Sequence, residues 1–477
     1  MDITKLMCKN VLYFFEEINK IPRGSGNEAA VSQYLCDFAA KRGLLAHRDS
    51  ANNVIIKKGG TKGKEKLAPV LIQGHVDMVC EKREDVVHDF EKDPIKVIYE
   101  NGFIHAGGTT LGADDGIAVA MALALLDSGD IPHPPLEALF TTDEEVGMLG
   151  AAAFDPKLIT SRRLINIDSE QEGVFTVGCA GGVKTHSLIP VMLEKAAENA
   201  YKISISGLTG GHSGIEIHKE RGNANKLIFR LFTILKQNIP DLALAFVKGG
   251  AKDNAIPRYA EMTVTTAINA EELKELVKAA EQTFNNELNG KDSLVISTEP
   301  TKTELVFDGE STKRLTAFAA LVPNGVQSNY LSLGMPESSN NLGVVKTAEN
   351  AVEFICALRS GTASIKGMHL NAIKQLTELC GGTLSTVGDY PAWEFKLNSP
   401  LCELFVTEFK KLYGKDPVVE SVHAGLECGL IGEKIPDMDM ISIGPDLLDI
   451  HTPEERADIM SIERTWKFLL HILNILD

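Results

Sequence analysis

No stretch of this sequence approaches the roughly 18 consecutive apolar residues that a membrane-spanning helix needs, so no membrane partner is expected. Positive charge is scarce as well: 48 Lys+Arg stand against 65 Asp+Glu, for a formal net charge of −17. Phosphate backbones and anionic lipids are bound mainly through Lys and Arg, so nucleic acid and membrane surfaces are excluded as expected partners. The eight cysteines, at 8, 36, 80, 179, 356, 380, 402 and 428, include no C-x-x-C pair. In a chain of 477 residues they do not make a disulfide framework. Reduced, mostly buried thiols and a cytoplasmic setting are the expectation. The N-terminal MDITKLMCKNVLYFFEEINKIPRGSG has acids early and no uninterrupted apolar core, so it reads as an amphipathic first helix, not a signal peptide. Low-complexity tracts and solenoid-period repeats are also missing. What remains is a folded chain, 44% hydrophobic, of the kind that handles a small molecule or a metal ion.

The length exceeds what one compact core holds, and the texture changes twice along it. LAPVLIQG (67–74), LEALFTT (136–142) and RRLINID (162–168) are short apolar runs, with LGADDGIAVAMALALLDSG (111–129) between the first two. Nearly continuous apolar strands alternating with helices predict an α/β sheet covered on both faces. YKISISG (201–207) and AEMTVTTAI (260–268) instead alternate apolar and polar residues, the period of a sheet with one wetted face. NANKLIFRLFTILKQ (223–237) and AEELKELVKAAEQTFNNEL (270–288) are amphipathic helices beside them. After about 390 the α/β texture returns, with SPLCELFVTEFKKLYG a helix, DMDMISIGP a strand and ERTWKFLLHILNIL a closing helix. The fold class expected is therefore two-domain α/β. Residues 1–186 and 391–477 are expected to form a discontinuous catalytic domain, and 187–390 a second, inserted α+β domain.

Five segments place ionisable residues at the ends of apolar strands or helices, where α/β sheets bind ligands. In LIQGHVDMV (71–79), His75 and Asp77 lie on the same side of an extended segment, so the carboxylate can hold one imidazole nitrogen and leave the other for a metal. In GTTLGADDG (108–116), Asp114 and Asp115 open an otherwise apolar helix. Acids at a helix start are ordinarily caps, but one cap needs one acid. LFTTDEEVGMLGA (139–151) brings three acids, Asp143, Glu144 and Glu145, after a buried strand. Asp168 ends RRLINID, and His451 lies in SIGPDLLDIHTPEE (442–455). Two imidazoles with several carboxylates suit two divalent ions, Zn²⁺ first, with Mn²⁺ or Co²⁺ possible. The inventory is His75, Asp114, Glu145, Asp168 and His451 as ligands, with Glu144 left over as a base.

QGHVDMV, TTLGADDGIAVAMALAL, TTDEEVGMLGA, INIDSE and HTPEER, in this order, resemble the zinc aminopeptidase, dipeptidase, aminoacylase and carboxypeptidase family with an inserted lid domain. GHSGIEIHKERGNANKL, GGAKDNAIPR and ESVHAGLECGLIGEK favour its dipeptidases. The resemblance implies hydrolysis of dipeptides, those ending in His among them, by a water activated by two metals. His75 and Asp168 would hold one metal, Glu145 and His451 the other, and Asp114 would bridge them. Asp77 would orient His75, Glu144 would be the general base, and the Asp114–Asp115 peptide would be cis. In the lid, the resemblance makes His212 the oxyanion donor. Arg258 or Arg359, with Asn254 assisting, would take the substrate carboxylate. Glu427 lies in a family-like loop without an assigned role. A homodimer through the lid is also implied. Two alternatives stay open: an aminoacylase or related amidohydrolase acting on N-acyl amino acids, and a catalytically silent, metal-dependent binding module.

Overall fold

The computed structural model describes residues 3–196 and 199–477. Met1 and Asp2 of the N-terminal amphipathic segment lie outside them, and that segment forms the helix Lys9–Asn19. The chain divides into two compact units. The first runs to Gly178 and resumes at Phe395–Ser421 and Leu426–Asp477; the second is Cys179–Glu394 with Val422–Gly425. The first unit gives way to the second at 178/179, and the whole strand Gly181–Pro190 pairs with Ala351–Ser360 and Thr383–Tyr390 in the second sheet.

The first unit is built on an eight-stranded sheet. Its centre is four neighbouring parallel strands, Leu136–Thr141, Val70–His75, Arg163–Asn166 and Asp439–Ser442. Val70–His75 and Leu136–Thr141 are buried at every position, as nearly continuous apolar strands require. Antiparallel strands Val54–Lys58 and Leu45–Arg48 extend one side. Val174–Cys179 and Val418–Val422 complete the other. The helix Ala113–Asp127 has thirteen of its fifteen residues buried, so it has no face for water, and it packs against Lys9–Asn19 and the His75 strand. Each of its buried leucines contributes about 1.5–3 kcal/mol of transfer free energy. Elsewhere Phe175 packs on Phe405, Phe409 and Phe468 of the helices Pro400–Tyr413 and Ile459–Ile475. Because the four central strands are parallel, their carboxyl ends share one edge of the sheet.

The second unit is a nine-stranded antiparallel sheet, from Val295–Thr301 at one edge to Thr383–Tyr390 at the other. The alternating burial of Gly181–Pro190 is that of a sheet with one covered face. Its core includes Ile228, Phe229, Leu231, Phe232 and Leu235 of the helix Ala224–Asn238, and Leu273, Val277, Ala280 and Phe284 of the helix Ala270–Leu288. Among the described residues no disulfide links the cysteines. Among the described residues no helix is long and apolar enough to cross a membrane.

Candidate functional site

The shared edge of the parallel strands collects the ionisable residues of the first unit. His75 is the last residue of its strand, the Asp143–Glu145 run follows Thr141, and Asp168 follows Asn166. His451 reaches the same place from the loop beyond Asp439–Ser442. Asp114 and Asp115 open the buried helix, and the peptide between them is cis. His75 Nε2 lies 3.2 Å from Asp114 Oδ1 and 3.6 Å from Asp168 Oδ1. His451 Nε2 lies 3.1 Å from Asp114 Oδ2 and 3.0 Å from Glu145 Oε1. The two oxygens of Asp114 thus face two different imidazoles.

Neighbouring groups fix these side chains. His75 Nδ1 sits 3.1 Å from the Asp77 carbonyl oxygen and 3.4 Å from Asp77 Oδ1, which directs its proton there and leaves Nε2 facing the acids. Asp77 Oδ1 accepts the Glu144 N–H at 3.1 Å, and Oδ2 accepts the Glu145 N–H at 3.3 Å and the Ser25 hydroxyl at 2.8 Å. Asp143 points elsewhere: its φ is +53° and its Oδ1 accepts the Gly26 N–H at 2.9 Å. Two of the three consecutive acids are therefore left for the site.

The capping explanation for Asp114 and Asp115 does not hold. Glu455, from the HTPEER segment, accepts the N–H groups of Leu111 and Gly112 on Oε2 (2.7 and 2.9 Å) and of Ala113 and Asp114 on Oε1 (2.7 and 3.4 Å). Asp115 Oδ2 accepts the His75 N–H at 3.2 Å. Arg23, a buried guanidinium, donates to the carbonyls of Val76 (2.9 Å) and Gly112 (2.6 Å) and so ties the His75 strand exit to the helix turn. Below the site Glu427 Oε2 accepts from Gln73 at 2.5 Å and Thr141 at 2.6 Å, while Asn166 donates to Gln73 at 2.6 Å. Its Oε1 is buried with no partner among the described residues.

Six carboxylates, Asp77, Asp114, Asp115, Glu144, Glu145 and Asp168, thus crowd two imidazoles. Burial together with the charges of Asp168, Glu427 and Glu145 pushes the Glu144 carboxyl well above the usual range. Burial does the same to Asp115, and it raises Asp168 to about 6 with help from Asp114 and Glu145. Hydrogen bonds to Asp114 and Glu145 raise His451 to about 10. Burial opposes the charged His75, but Asp114, Asp168 and Asp77 outweigh it and hold its pKa well above the imidazole range. Burial opposes the charged forms of Asp77 and Asp114 as well, but hydrogen bonds and the imidazole charges hold both carboxyls low, so the cluster pairs cationic imidazoles with carboxylates, an arrangement that fits cations. The donor atoms fit too: His75, Asp114 and Glu145 bring ligand atoms within 4.8 Å of one another, as do His75, Asp115 and Asp168.

The remaining site candidates belong to the second unit. His212 Nδ1 accepts the N–H groups of Gly214 (3.2 Å) and Ile215 (3.1 Å), so its proton is on Nε2. Burial and the Arg359 charge lower its pKa and keep the ring neutral. His212, Asn254 and Arg258 line one cleft of about 700 Å³. Arg359 lies apart from that lining: its Nη1 donates to Tyr390 Oη at 2.9 Å, and its Nε is buried without a partner among the described residues. A Cβ on Gly214 would come within 2.5 Å of the His423 carbonyl oxygen and 3.1 Å of both Arg359 Nε and His212 Cε1, so only glycine fits between them. His423 Nε2 pairs with Ser339 Oγ at 2.7 Å. The sequence assigns no role to Tyr390, Ser339 or Arg23; Glu455 and His423 lie in the HTPEER and ESVHAGLECGLIGEK segments without standing out there, and Glu427 is notable only for its family-like loop.

Comparison with known proteins places this geometry in context. The family model of peptidase family M20/M25/M40 matches residues 71–475. The cytosol non-specific dipeptidase of Escherichia coli strain K12 is 38% identical over 480 aligned residues, covering 99% of this chain and 98% of its own. The crystal structure of aminoacylhistidine dipeptidase from Vibrio alginolyticus is similar with a TM-score of 0.94 at 37% identity, covering 100% of this chain and 98% of that one. Aminopeptidase PepT from Bacillus cereus ATCC 10987, at 15% identity and a TM-score of 0.56 over 98% of both chains, shares the fold.

Proposed function

The chain belongs to peptidase family M20/M25/M40, and from that premise we propose that it is a metal-dependent dipeptidase, acting on Xaa-His and a broader set of dipeptides. Membership implies a divalent-metal site. The reading adds two ions per chain, Zn²⁺ by preference, with His75 and Asp168 holding one, Glu145 and His451 the other, and Asp114 both. The observation that carries it is Asp114, whose oxygens face His75 and His451 separately. Asp115 is left out of the ligand set because its Oδ2 already accepts the His75 N–H. When bound, the ions supply the Lewis acidity that acidifies a water and polarises the peptide carbonyl.

The chain's own groups do the rest. Asp77 fixes His75 through Nδ1 and holds the Glu144 and Glu145 backbone on its two carboxylate oxygens. Glu144 takes the proton of the attacking water and passes it to the leaving amine. A neutral His212 with its proton on Nε2 is a hydrogen-bond donor suited to an oxyanion. Arg359, with a buried, unpartnered Nε, is the favoured group for the substrate carboxylate, and Arg258 and Asn254 border the cleft beside His212. In this reading the first unit is the catalytic domain and the second the lid. The apolar Leu188 and Val387, exposed on neighbouring strands of the second sheet, support a homodimer through it. Cysteines without a disulfide among the described residues, and the cytosolic name of the Escherichia coli relative, support a cytoplasmic setting.

A panel of dipeptides assayed after chelation and re-addition of Zn²⁺, Mn²⁺ or Co²⁺ tests the proposal. Chelation is expected to abolish release from Ala-His and Gly-Gly, and re-added metal to restore it. Cleavage of N-acetyl amino acids with no release from either dipeptide points to an aminoacylase instead. Metal binding without any hydrolysis points to a binding module. Within the same assay, His212→Ala is expected to lower kcat about 10²–10³-fold, the usual cost of an oxyanion donor. Metal content should stay unchanged; a lost ion would make His212 a ligand and overturn its assignment.

A further inference from the structure

We infer that Glu455 is a positioning residue for the metal ligands: by occupying the start of the buried helix it frees Asp114 for the ions and fastens the His451 loop to Asp114. This rests on the metal-dependent reading above. A helix begins with four N–H groups that lack intrahelical partners, and the nearest acid is normally drawn onto them. Here the helix start is buried, so water does not serve, and Asp114 and Asp115 both stand in its first turn. Yet among the described residues no backbone N–H donates to Asp114. The four N–H groups from Leu111 to Asp114 all go to Glu455, which is 2% exposed and more than 300 positions away in sequence. The same carboxylate stands four positions after His451, on the loop that brings that imidazole to Asp114 Oδ2. One group thereby sets both the direction of the Asp114 side chain and the distance of His451 from it.

Without Glu455, the unserved N–H groups compete with the ions for Asp114. Glu455→Gln keeps the shape but offers a single acceptor oxygen, and its NH₂ meets N–H donors. Glu455→Ala removes the acceptor altogether. Both are expected to weaken Zn²⁺ binding about 10–100-fold, as for other groups that orient metal ligands. Competition with a chromophoric chelator measures this directly. Glu137→Ala is the matched control. That carboxylate is also buried and accepts the N–H groups of Thr160 (3.0 Å) and Ser161 (2.9 Å), but near the opposite end of its strand. Its loss should lower the melting temperature of the metal-free protein without moving Zn²⁺ affinity. Activity of the Glu455 variants should recover as Zn²⁺ is raised, which a merely structural lesion does not produce. The inference is overturned if Glu455→Gln binds Zn²⁺ as tightly as the wild type, whatever its melting temperature. If the wild type itself binds no divalent ion, the metal-dependent reading has failed instead. If Glu455→Ala does not fold, the isosteric Gln variant decides.

Discussion

Glu144→Gln is expected to lower kcat by about 10²–10⁴-fold, the range a positioned acid or base contributes, with both metals retained. The substitution is isosteric and keeps the Glu144 N–H that donates to Asp77 Oδ1. It leaves His75, Asp114, Glu145, Asp168 and His451 in place, and removes only the oxygen that accepts a proton. Burial and the neighbouring acids already disfavour the charged Glu144 carboxylate, so a neutral amide should leave the folded protein at least as stable. Steady-state kinetics on Ala-His beside elemental analysis of the same sample separate the possibilities. Near-normal turnover would remove Glu144 from the mechanism. A lost ion would make it a ligand.

Asp114→Asn is expected to have the larger effect, because it strikes both ions together. An amide offers one acceptor oxygen where the carboxylate offers two, and turns an NH₂ toward either His75 Nε2 or His451 Nε2. The donor sets on the two sides share no other side chain in the proposed arrangement. Metal content should fall from two ions per chain to one or none, and activity by about 10³-fold or more, as several kcal/mol of charge stabilisation is lost. Asp168→Asn, which touches one side only, provides the comparison. Two ions retained in Asp114→Asn would refute the bridging role.

The difference between what was and was not readable in the sequence has a physical basis. The parallel strands were legible because burial on both faces demands apolar runs such as LEALFTT, and His75, Glu144, Glu145 and Asp168 follow those runs directly. The amphipathic helix 270–288 was legible because its apolar residues recur on one face, and the structure begins and ends it at Ala270 and Leu288. The start of the buried helix was ambiguous for the opposite reason. Helix-terminal acids have the same sequence signature whether they cap or coordinate, and the group that resolves the ambiguity, Glu455, lies in a different segment. Arg23 reads only as part of the N-terminal amphipathic segment, although its guanidinium is buried against the carbonyls of Val76, Asp77 and Gly112. In the second unit, His423 reaches Ser339 through a short C-terminal excursion, Val422–Gly425, that no periodicity announces. Local pattern reports local burial. It does not report which distant segment supplies the last hydrogen-bond partner.

The separation between Asp114 and His451 also bears on how the protein comes into being. While the chain emerges from the ribosome, the segment through Asp168 is synthesised long before His451 and Glu455. Until the final segment is free to fold, Asp114 has only one of its two imidazoles and the helix start lacks its carboxylate. In the proposed arrangement a nascent polypeptide therefore carries most of the candidate centre without a competent one. Hydrolytic capacity would wait on the same late segment that supplies the central strand Asp439–Ser442 and the core helix Ile459–Ile475.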